Sequence, residues 1–229
     1  MKKILYSIAL MIATTLVLSP DLIAQNIGIS IDRDDMRVSS YKSPGLKGSP
    51  YLYENWAKGT VQLTNGIVYE GMDLLYDQIR DELIFTVDGN QRQIFMQPVQ
   101  SFTISNPENR RVVDQKTFTK GFTAVDGATP NAFYEVLAAG NTQLLKRTTK
   151  AIVEERSETS ILKVKQIKES IKYYVARDGQ LTRITPSKKS VLTALSNKKT
   201  ELEGFIKQHN LNLKEEADLA ELVDFYNSL

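Results

Sequence analysis

Cysteine is absent from the 229-residue chain, and histidine occurs once, as His209. Without thiols the chain can form neither disulfides nor thiolate metal sites. His209 stands at a predicted helix end, where an imidazole more often binds helix carbonyls than acts as a base, and nucleophilic catalysis needs a base. The sequence therefore predicts no metal site, no cofactor and no histidine-dependent hydrolysis.

Net charge is nearly absent as well. The chain has 29 Lys and Arg residues against 27 Asp and Glu residues, which gives a formal charge of +2. That balance gives no reason to expect a nucleic acid partner. No glycine-rich loop that could bind phosphate is present. The acidic segment 32–35 lacks the spaced oxygen ligands and the glutamate of a calcium loop, so we interpret it as a solvated turn.

Long apolar runs are limited to one, Ile4–Leu18, which follows Lys2 and Lys3. Its 15 residues are too few to span a bilayer comfortably, and Leu22–Gln25 supplies a small residue before a cleavage point. We interpret residues 1–24 as a signal peptide cleaved after Ala24, with an uncleaved anchor as the alternative. A signal peptide predicts an exported protein of the periplasm or the exterior. Because cysteine is absent, we do not expect a lipoprotein. Because the chain has no second long apolar run, we expect no integral membrane span after cleavage.

The segment Gly59–Ile104 predicts an antiparallel meander. Apolar and polar residues alternate along it, and Asn65-Gly66 and Asp88-Gly89 interrupt the alternation. A period of two places alternate side chains on one face of a strand, and Asn-Gly or Asp-Gly supplies the positive φ of a tight turn. Glu70-Gly71 indicates a bulge or a bend.

A loop rich in glycine, proline and aromatic residues precedes the meander, at residues 39–58. We expect this loop to cover the sheet. Its aromatic residues Tyr51, Tyr53 and Trp56 are a candidate surface for a ligand or partner, and the alternative is that they plug the open end of the sheet.

The β pattern continues to residue 185. We expect a short strand pair around Lys120-Gly121 that contains Phe118 and Phe122, a hairpin across residues 139–141, and a second hairpin at Asp178-Gly179. The segment 147–172 has apolar spacing between that of a strand and that of a helix, so its structure stays open, with a mobile loop expected over residues 154–160.

The C-terminal residues 187–229 predict two or three helices. Ser187 is a suitable N-cap for the first. The last is expected to start at Asn212 and to bury an i, i+3, i+4, i+7 stripe, whose members are Leu219, Leu222, Val223 and Tyr226. We thus predict an α+β fold: a mainly antiparallel β-sheet meander or partial barrel over residues 25–185, with a C-terminal pair or trio of helices.

Several motifs carry a resemblance to a family. The pattern Gly48-Ser-Pro-Tyr-Leu52, Gly59-Thr-Val61 with Asn65-Gly66, and Tyr69-Glu-Gly71 resembles that of uncharacterised exported proteins of Bacteroidota-type bacteria. The ending Leu211–Leu219 with Phe225-Tyr-Asn is similar to theirs. The resemblance implies a small β domain with a helical tail in the periplasm or beyond, and it implies no particular activity.

The sequence leaves two classes of function open. The first is a non-enzymatic module of the cell envelope that binds an envelope protein or glycan or has a structural accessory role. The second is a carboxylate-dependent hydrolase of the glycosidase type, which would use neither histidine nor metal. Its candidate carboxylates are Glu54, Glu70, Asp73 and Asp77.

Overall fold

A computed structural model of the chain describes residues 28–31, 46–89, 91–106, 114–156 and 163–229. The expected signal peptide and the acidic segment 32–35 lie outside these residues. The described chain contains eleven strands in one sheet, followed by three α-helices and one short 3-10 helix. The strands are β1 (Gly28–Ile31), β2 (Ala57–Leu63), β3 (Val68–Asp77), β4 (Glu82–Thr86), β5 (Arg92–Phe95), β6 (Val99–Ser105), β7 (Gln115–Thr119), β8 (Tyr134–Ala138), β9 (Thr142–Arg156), β10 (Lys163–Arg177) and β11 (Gln180–Ile184). The helices are α1 (Lys188–Ala194), α2 (Lys199–His209) and α3 (Glu216–Ser228), with the 3-10 turn at Ser196–Lys198.

All neighbouring strands of the sheet are antiparallel, in the order β1-β5-β4-β3-β2-β6-β7-β8-β9-β10-β11. The predicted α+β class with a meander is therefore confirmed. The Asn65-Gly66 turn joins β2 to β3, and Asp88-Gly89 lies between β4 and β5. A register shift between Gly59 and Val61 leaves Glu70 and Gly71 as the predicted bulge.

The link between β5 and β6 forces the sheet to curl. Only Met96, Gln97 and Pro98 separate the two strands, although four steps of the strand order lie between them. Four steps of a flat sheet would span about 19 Å, whereas the link reaches at most about 14 Å. The first strands therefore curl into a partial barrel, in which the link brings the end of β5 close to the start of β6, although β1 and β7 occupy the remaining edges of these two strands.

The partial barrel is apolar inside and locally covered outside. Strand β2 alternates strictly between buried and exposed residues, and its buried side faces the aromatic cluster of Tyr76, Phe102, Phe118 and Phe133. Strand β4 is buried on both faces, because Ile84 packs outside against Tyr51 and Trp56. Tyr51 and Trp56 thus cover part of the outer surface of the meander, whereas Lys47 of the same segment pairs with Gln166 of β10.

The second half of the sheet, β8–β11, lies between two layers. Leu144 and Val175 face the helices, in a core with Leu202, Leu219 and other helix residues. Leu145 and Tyr174 face the opposite side, where residues 120–133 cover them. The helices and these strands consequently share one hydrophobic core.

Three sequence interpretations need correction. Residues 120–133 form a loop, so Phe122 is not in a strand; its ring packs edge-on against Tyr134 at 5.4 Å and covers the sheet. In the segment left open by the sequence, residues 147–156 belong to β9 and residues 163–172 to β10, and the two strands pair with each other; residues 154–156 of the expected loop therefore lie in a strand. The polar residues 76–81 would be expected from the sequence to form a connection between strands, but β3 continues to Asp77 and Tyr76 lies inside the core at 2% exposure.

The helical segment follows the prediction with one shift. The Ser187 side chain accepts a hydrogen bond from the Ser190 amide and caps α1, as predicted. Helix α3 starts at Glu216 and not at Asn212, because Asn212 instead accepts from the Lys214 amide in a turn. Leu219, Leu222 and Val223 are fully buried, which confirms the apolar stripe. Among the described residues no helix combines the length and apolar character needed to cross a membrane.

Candidate functional site

A cleft of about 250 Å³ opens at the end of the partial barrel beside the β5–β6 link, and we call it the seam cleft. It forms because β5 and β6 approach there without pairing, while the β3–β4 turn and the 120–133 loop close its sides. Its lining residues are Asp81, Glu82, Leu83, Ile94, Phe95, Gln97, Pro98, Val99, Lys120, Asn131 and Phe133. Six of these residues are apolar and five are polar or charged, so the walls of the cleft are of mixed character.

Asp81 is the most connected polar residue of this cleft. Its carboxylate accepts a hydrogen bond from the Tyr76 hydroxyl at 2.5 Å, from Arg147 Nη2 at 3.3 Å and from the Phe133 amide. Its φ is +58°, a left-handed conformation that aspartate tolerates better than most residues. Burial raises the pKa of Tyr76 well above its usual value, and the adjacent Asp81 carboxylate raises it further. Tyr76 is therefore a permanent donor to Asp81.

Two buried polar atoms lie behind Asp81. Tyr134 Oη and Arg147 Nε are buried and have no hydrogen-bond partner among the described residues. The Arg147 guanidinium lies 6.0 Å from the centre of the Tyr134 ring, and its Nη2 reaches Asp81. Unsatisfied polar groups are rare in native proteins and concentrate at strained or functional places. They mark the region behind the seam cleft as polar and incompletely paired.

Lys120 supplies the positive charge of the seam cleft. Its ammonium group lies 5.5 Å from the centre of the Phe133 ring, in a cation–π arrangement, and no described carboxylate forms a salt bridge with it. Burial lowers the pKa of Lys120, and the charge of Asp81 offsets that effect only partly. Lys120 is thus half-buried, without a direct counterion among the described residues, at the edge of the seam cleft.

A second group of charged residues lies outside the seam cleft, and each of its charges is paired with an opposite charge. Between the sheet and α3, Glu135 accepts from Lys116 at 2.5 Å, and Lys146 pairs with Glu216 at 2.6 Å. Tyr173 donates to the same Glu216 carboxylate at 2.6 Å. Burial alone would lower the pKa of Lys116, but the hydrogen bond to Glu135 and the charges of Glu135, Asp114 and Glu216 together outweigh burial and raise it. This ion network contains two cations, Lys116 and Lys146, and two anions, Glu135 and Glu216. Through Glu216 it links α3 to the sheet.

The aromatic residues of the expected binding surface lie in two different places. Tyr51 and Trp56 pack on Leu75 and Ile84 at the outer face of the sheet, and Arg92 donates to the Tyr51 hydroxyl at 2.6 Å. Tyr53 packs against the inner core of the partial barrel. All three are half-buried, and the structure does not bring them together around one cleft.

The candidate carboxylates and the histidine also have separate environments. Asp77 is buried and caps the β3–β4 turn by accepting from the amides of Ile79 and Arg80. Asp73 pairs with Lys58 at 2.8 Å. The two glutamates, Glu54 and Glu70, are exposed.

His209, at the end of α2, stacks on Phe205 and lies 3.3 Å from Glu221. Within the described part of the chain, no cluster of three or more histidine, aspartate or glutamate residues could hold a metal ion.

Sequence reasoning did not single out Asp81, Lys120, Phe133 or Arg147 as site residues. They lie on four separate segments, and the Asp81–Arg147 contact joins positions 66 residues apart. One local signal was present: Asp81 stands between Arg80 and Glu82 at a turn, a position that permits left-handed aspartate. Nothing in the chain order indicated that Lys120 would approach it.

Comparison of the chain with models of protein families, with curated proteins and with solved structures finds no match in any of the three. The geometry of the described residues must therefore carry any functional argument.

Proposed function

We propose that the protein is a non-enzymatic, exported module of the cell envelope that binds an envelope protein or glycan through the seam cleft, or supports such a partner structurally. The observation that carries this proposal is the half-buried ammonium of Lys120 at an open cleft whose lining includes Phe95 and Phe133. A half-buried cation without a direct counterion among the described residues favours an anionic ligand group, because partial desolvation strengthens their attraction.

The cleft favours a ligand group of limited size. Its volume of about 250 Å³ is below the usual range for a complete small-molecule site, which starts near ~300 Å³. It would accept one side chain, one chain terminus or one substituent of a larger partner. That group combines an apolar or aromatic body, which contacts Phe95 and Phe133, with an anionic oxygen near Lys120.

Hydrolysis is supported less well by the described carboxylates. A general acid needs a raised pKa, whereas the pKa of Glu216, in the ion network beside α3, is lowered. Burial alone would raise it, but hydrogen bonds from Lys146 and Tyr173 and the charges of Lys146 and Lys116 together outweigh burial. Asp81 is occupied by three donors and holds the β3–β4 turn against β9. The carboxylates of Glu216 and Asp81 thus make contacts that hold elements of the fold together, which is a structural role and not that of a general acid.

A pair of matched fragments tests the proposal directly. Phenylpropionate and phenylpropanol have similar apolar bodies, and only the first carries a carboxylate. We expect phenylpropionate to bind with a Kd on the order of 1 mM, and phenylpropanol to bind several-fold more weakly. Nuclear magnetic resonance of the mature protein should show the largest shifts at Lys120 and Phe133.

Two substitutions separate binding in the cleft from binding elsewhere. Lys120→Met keeps the length of the side chain and removes its charge, so the preference for the carboxylate should disappear. Lys207→Met, on the exposed side of α2, is the control and should change nothing. Equal binding of the two fragments to the unmodified protein, or shifts that avoid the cleft, would refute the proposed ligand chemistry.

The cellular location of the protein and the identity of its partner need a separate experiment. We expect the chain to be processed after Ala24 and recovered from the periplasm or medium, with mass spectrometry of the mature N-terminus as the measurement. Envelope fractions passed over the immobilised mature protein should yield a partner that the Lys120→Met variant captures less efficiently. Retention of an unprocessed chain in the cytoplasm would contradict the export proposal.

A further inference from the structure

The last strand of the sheet, β11, has an outer edge with which no described strand pairs. The turn before it consists of Asp178 and Gly179, both with positive φ, which is the signature of a two-residue hairpin. In such a hairpin the residues that flank the turn, Arg177 and Gln180, exchange both hydrogen bonds. Hydrogen-bonding groups then alternate along the strand, so Leu181 and Arg183 direct their backbone N–H and C=O groups to the open edge.

A groove runs beside this edge. Strand β11 forms one wall and α1 forms the other, and the volume between them is about 350 Å³. A second groove of about 620 Å³ lies on the other side of Lys189 and Thr193, between α1 and the start of α2, and these two residues line both grooves. We call the two adjoining grooves, of which the first borders an unpaired strand edge of the described chain, the β11–α1 channel.

The channel is basic and rich in hydroxyl groups. Its lining includes four basic residues and one acidic residue, which are Arg183, Lys188, Lys189, Lys199 and Glu203. Arg183 lies 3.5 Å from Asp126 but keeps a side-chain exposure of 54%, and both Lys188 and Lys189 are exposed. The hydroxyl groups come from Thr182, Thr185, Ser187, Ser190, Thr193 and Ser196. The channel therefore favours an occupant with negative charge and hydrogen-bonding capacity.

We propose that the β11–α1 channel binds an extended acidic peptide, which adds to the sheet as a further antiparallel or parallel strand. An open strand edge offers alternating donors and acceptors that only another backbone satisfies in register, and strand addition is a common mode of peptide recognition. The basic wall supplies charge complementarity for acidic side chains. An acidic glycan would meet the same charges but would not match the backbone spacing of Leu181 and Arg183.

This surface shares no lining residue with the seam cleft, so it does not rest on the function proposed above. The test uses a peptide of about ten residues, the upper length of a typical strand, in which threonine and glutamate alternate. The control peptides replace glutamate with lysine, or carry N-methyl groups on alternate residues, which block pairing without changing charge. An oligogalacturonate of similar length represents acidic glycans.

Arg183 offers a matched pair of variants for the backbone contact. Arg183→Gln and Arg183→Pro both remove the charge and the ion pair with Asp126, but only proline removes the outward N–H group. Proline is tolerated on an edge strand where the N–H faces away from the sheet. We expect the proline variant to bind the acidic peptide about five-fold more weakly than the glutamine variant, which corresponds to one lost hydrogen bond.

The expected result is that the acidic peptide binds the unmodified protein and shifts the amide resonances of Leu181 and Arg183. The lysine and N-methylated peptides should bind at least several-fold more weakly, Lys189→Gln should weaken binding of the acidic peptide, and Lys120→Met should leave it unchanged. Circular dichroism verifies that each variant folds. If Arg183→Pro does not fold, the N-methylated peptide still tests the backbone contact on the unmodified protein.

Three results would overturn the proposal. The first is that the N-methylated peptide binds as tightly as the unmethylated acidic peptide. The second is that none of the peptides binds. The third is binding of oligogalacturonate in the channel without binding of the acidic peptide, which would assign the channel to a glycan.

Discussion

The clearest test of the seam architecture is the substitution Asp81→Asn. Asparagine tolerates the left-handed backbone that Asp81 adopts, so the turn keeps its conformation. In the unmodified protein, Arg147 Nη2 lies 3.3 Å from a carboxylate oxygen of Asp81. The asparagine side chain keeps one oxygen acceptor for Tyr76 but presents an N–H donor to Arg147 in place of that oxygen. The substitution therefore removes the negative charge and the bond to Arg147 and leaves the side-chain packing almost unchanged.

The size of the effect follows from the contacts that are lost. A hydrogen bond to a charged group contributes about 1.5–3 kcal/mol, and Arg147, with a side-chain exposure of 18%, would remain largely buried without its counterion. We expect the free energy of unfolding to fall by about 2–4 kcal/mol. Urea denaturation followed by far-ultraviolet circular dichroism measures it.

The control is Asp178→Asn in the β10–β11 turn. Asp178 also has a positive φ, of +51°, but its side chain is exposed, so the same substitution should change the free energy of unfolding by less than about 0.5 kcal/mol. Combining Asp81→Asn with Tyr76→Phe should give a coupling energy of about 1–2 kcal/mol. Strict additivity, or an Asp81→Asn effect as small as that of the control, would refute the reasoning.

Further outcomes follow from packing and from titration. Gly59→Ala should destabilise the protein by about 3 kcal/mol or prevent folding, because a Cβ would lie 2.1 Å from the Thr103 carbonyl oxygen. At Gly204 an added Cβ meets no atom within 4 Å, so Gly204→Ala should stabilise α2 by up to about 1 kcal/mol. Denaturation measures both changes. Burial raises the pKa of Tyr53 to about 12, so its contribution to stability is present below the ordinary pKa of 10.0 and is lost as the pH rises through about 12. In an alkaline absorbance titration, Tyr53→Phe should remove one late transition, and loss of an early one would contradict the assignment. The pKa of Glu216 lies below its ordinary 4.5 because hydrogen bonds from Lys146 and Tyr173 outweigh burial; its contribution is therefore present above that value and lost as the pH falls through the folded-state pKa. Thermal unfolding should show a larger penalty for Glu216→Gln at neutral pH than at about pH 3, and an equal penalty would exclude a role of the charge.

The local structure was largely predictable from the sequence, since it depends on neighbouring residues. The period of two along β2 and the turns at Asn65-Gly66 and Asp178-Gly179 each require only a few consecutive residues. The long β9–β10 hairpin was not predictable in the same way. Its outer half carries charges on both faces, and the pairing of Lys168 with Glu155 across the strands replaces the apolar alternation that would have indicated a strand.

The site was not predictable because it depends on pairing between distant strands. Strand β2 has β3 on one side and β6 on the other, and the β6 pairing fixes where the sheet curls. No local pattern distinguishes that order from a simple meander in which β6 follows β5. The approach of Lys120 and Phe133 to Asp81 follows only after β6 and β7 are placed next to β2.

The strand order explains why β5 and β6 do not pair at the seam cleft. Strand β5 already pairs with β1 and β4, and β6 already pairs with β2 and β7, so neither strand has a free edge for the other. Lys120 at this cleft is half-buried and keeps contact with water. Transfer of an unpaired ammonium into a closed apolar core costs several kcal/mol, so a lysine at this position is compatible with an open cleft and not with a closed core. The same charge is the one that would attract an anionic ligand group in the function proposed above.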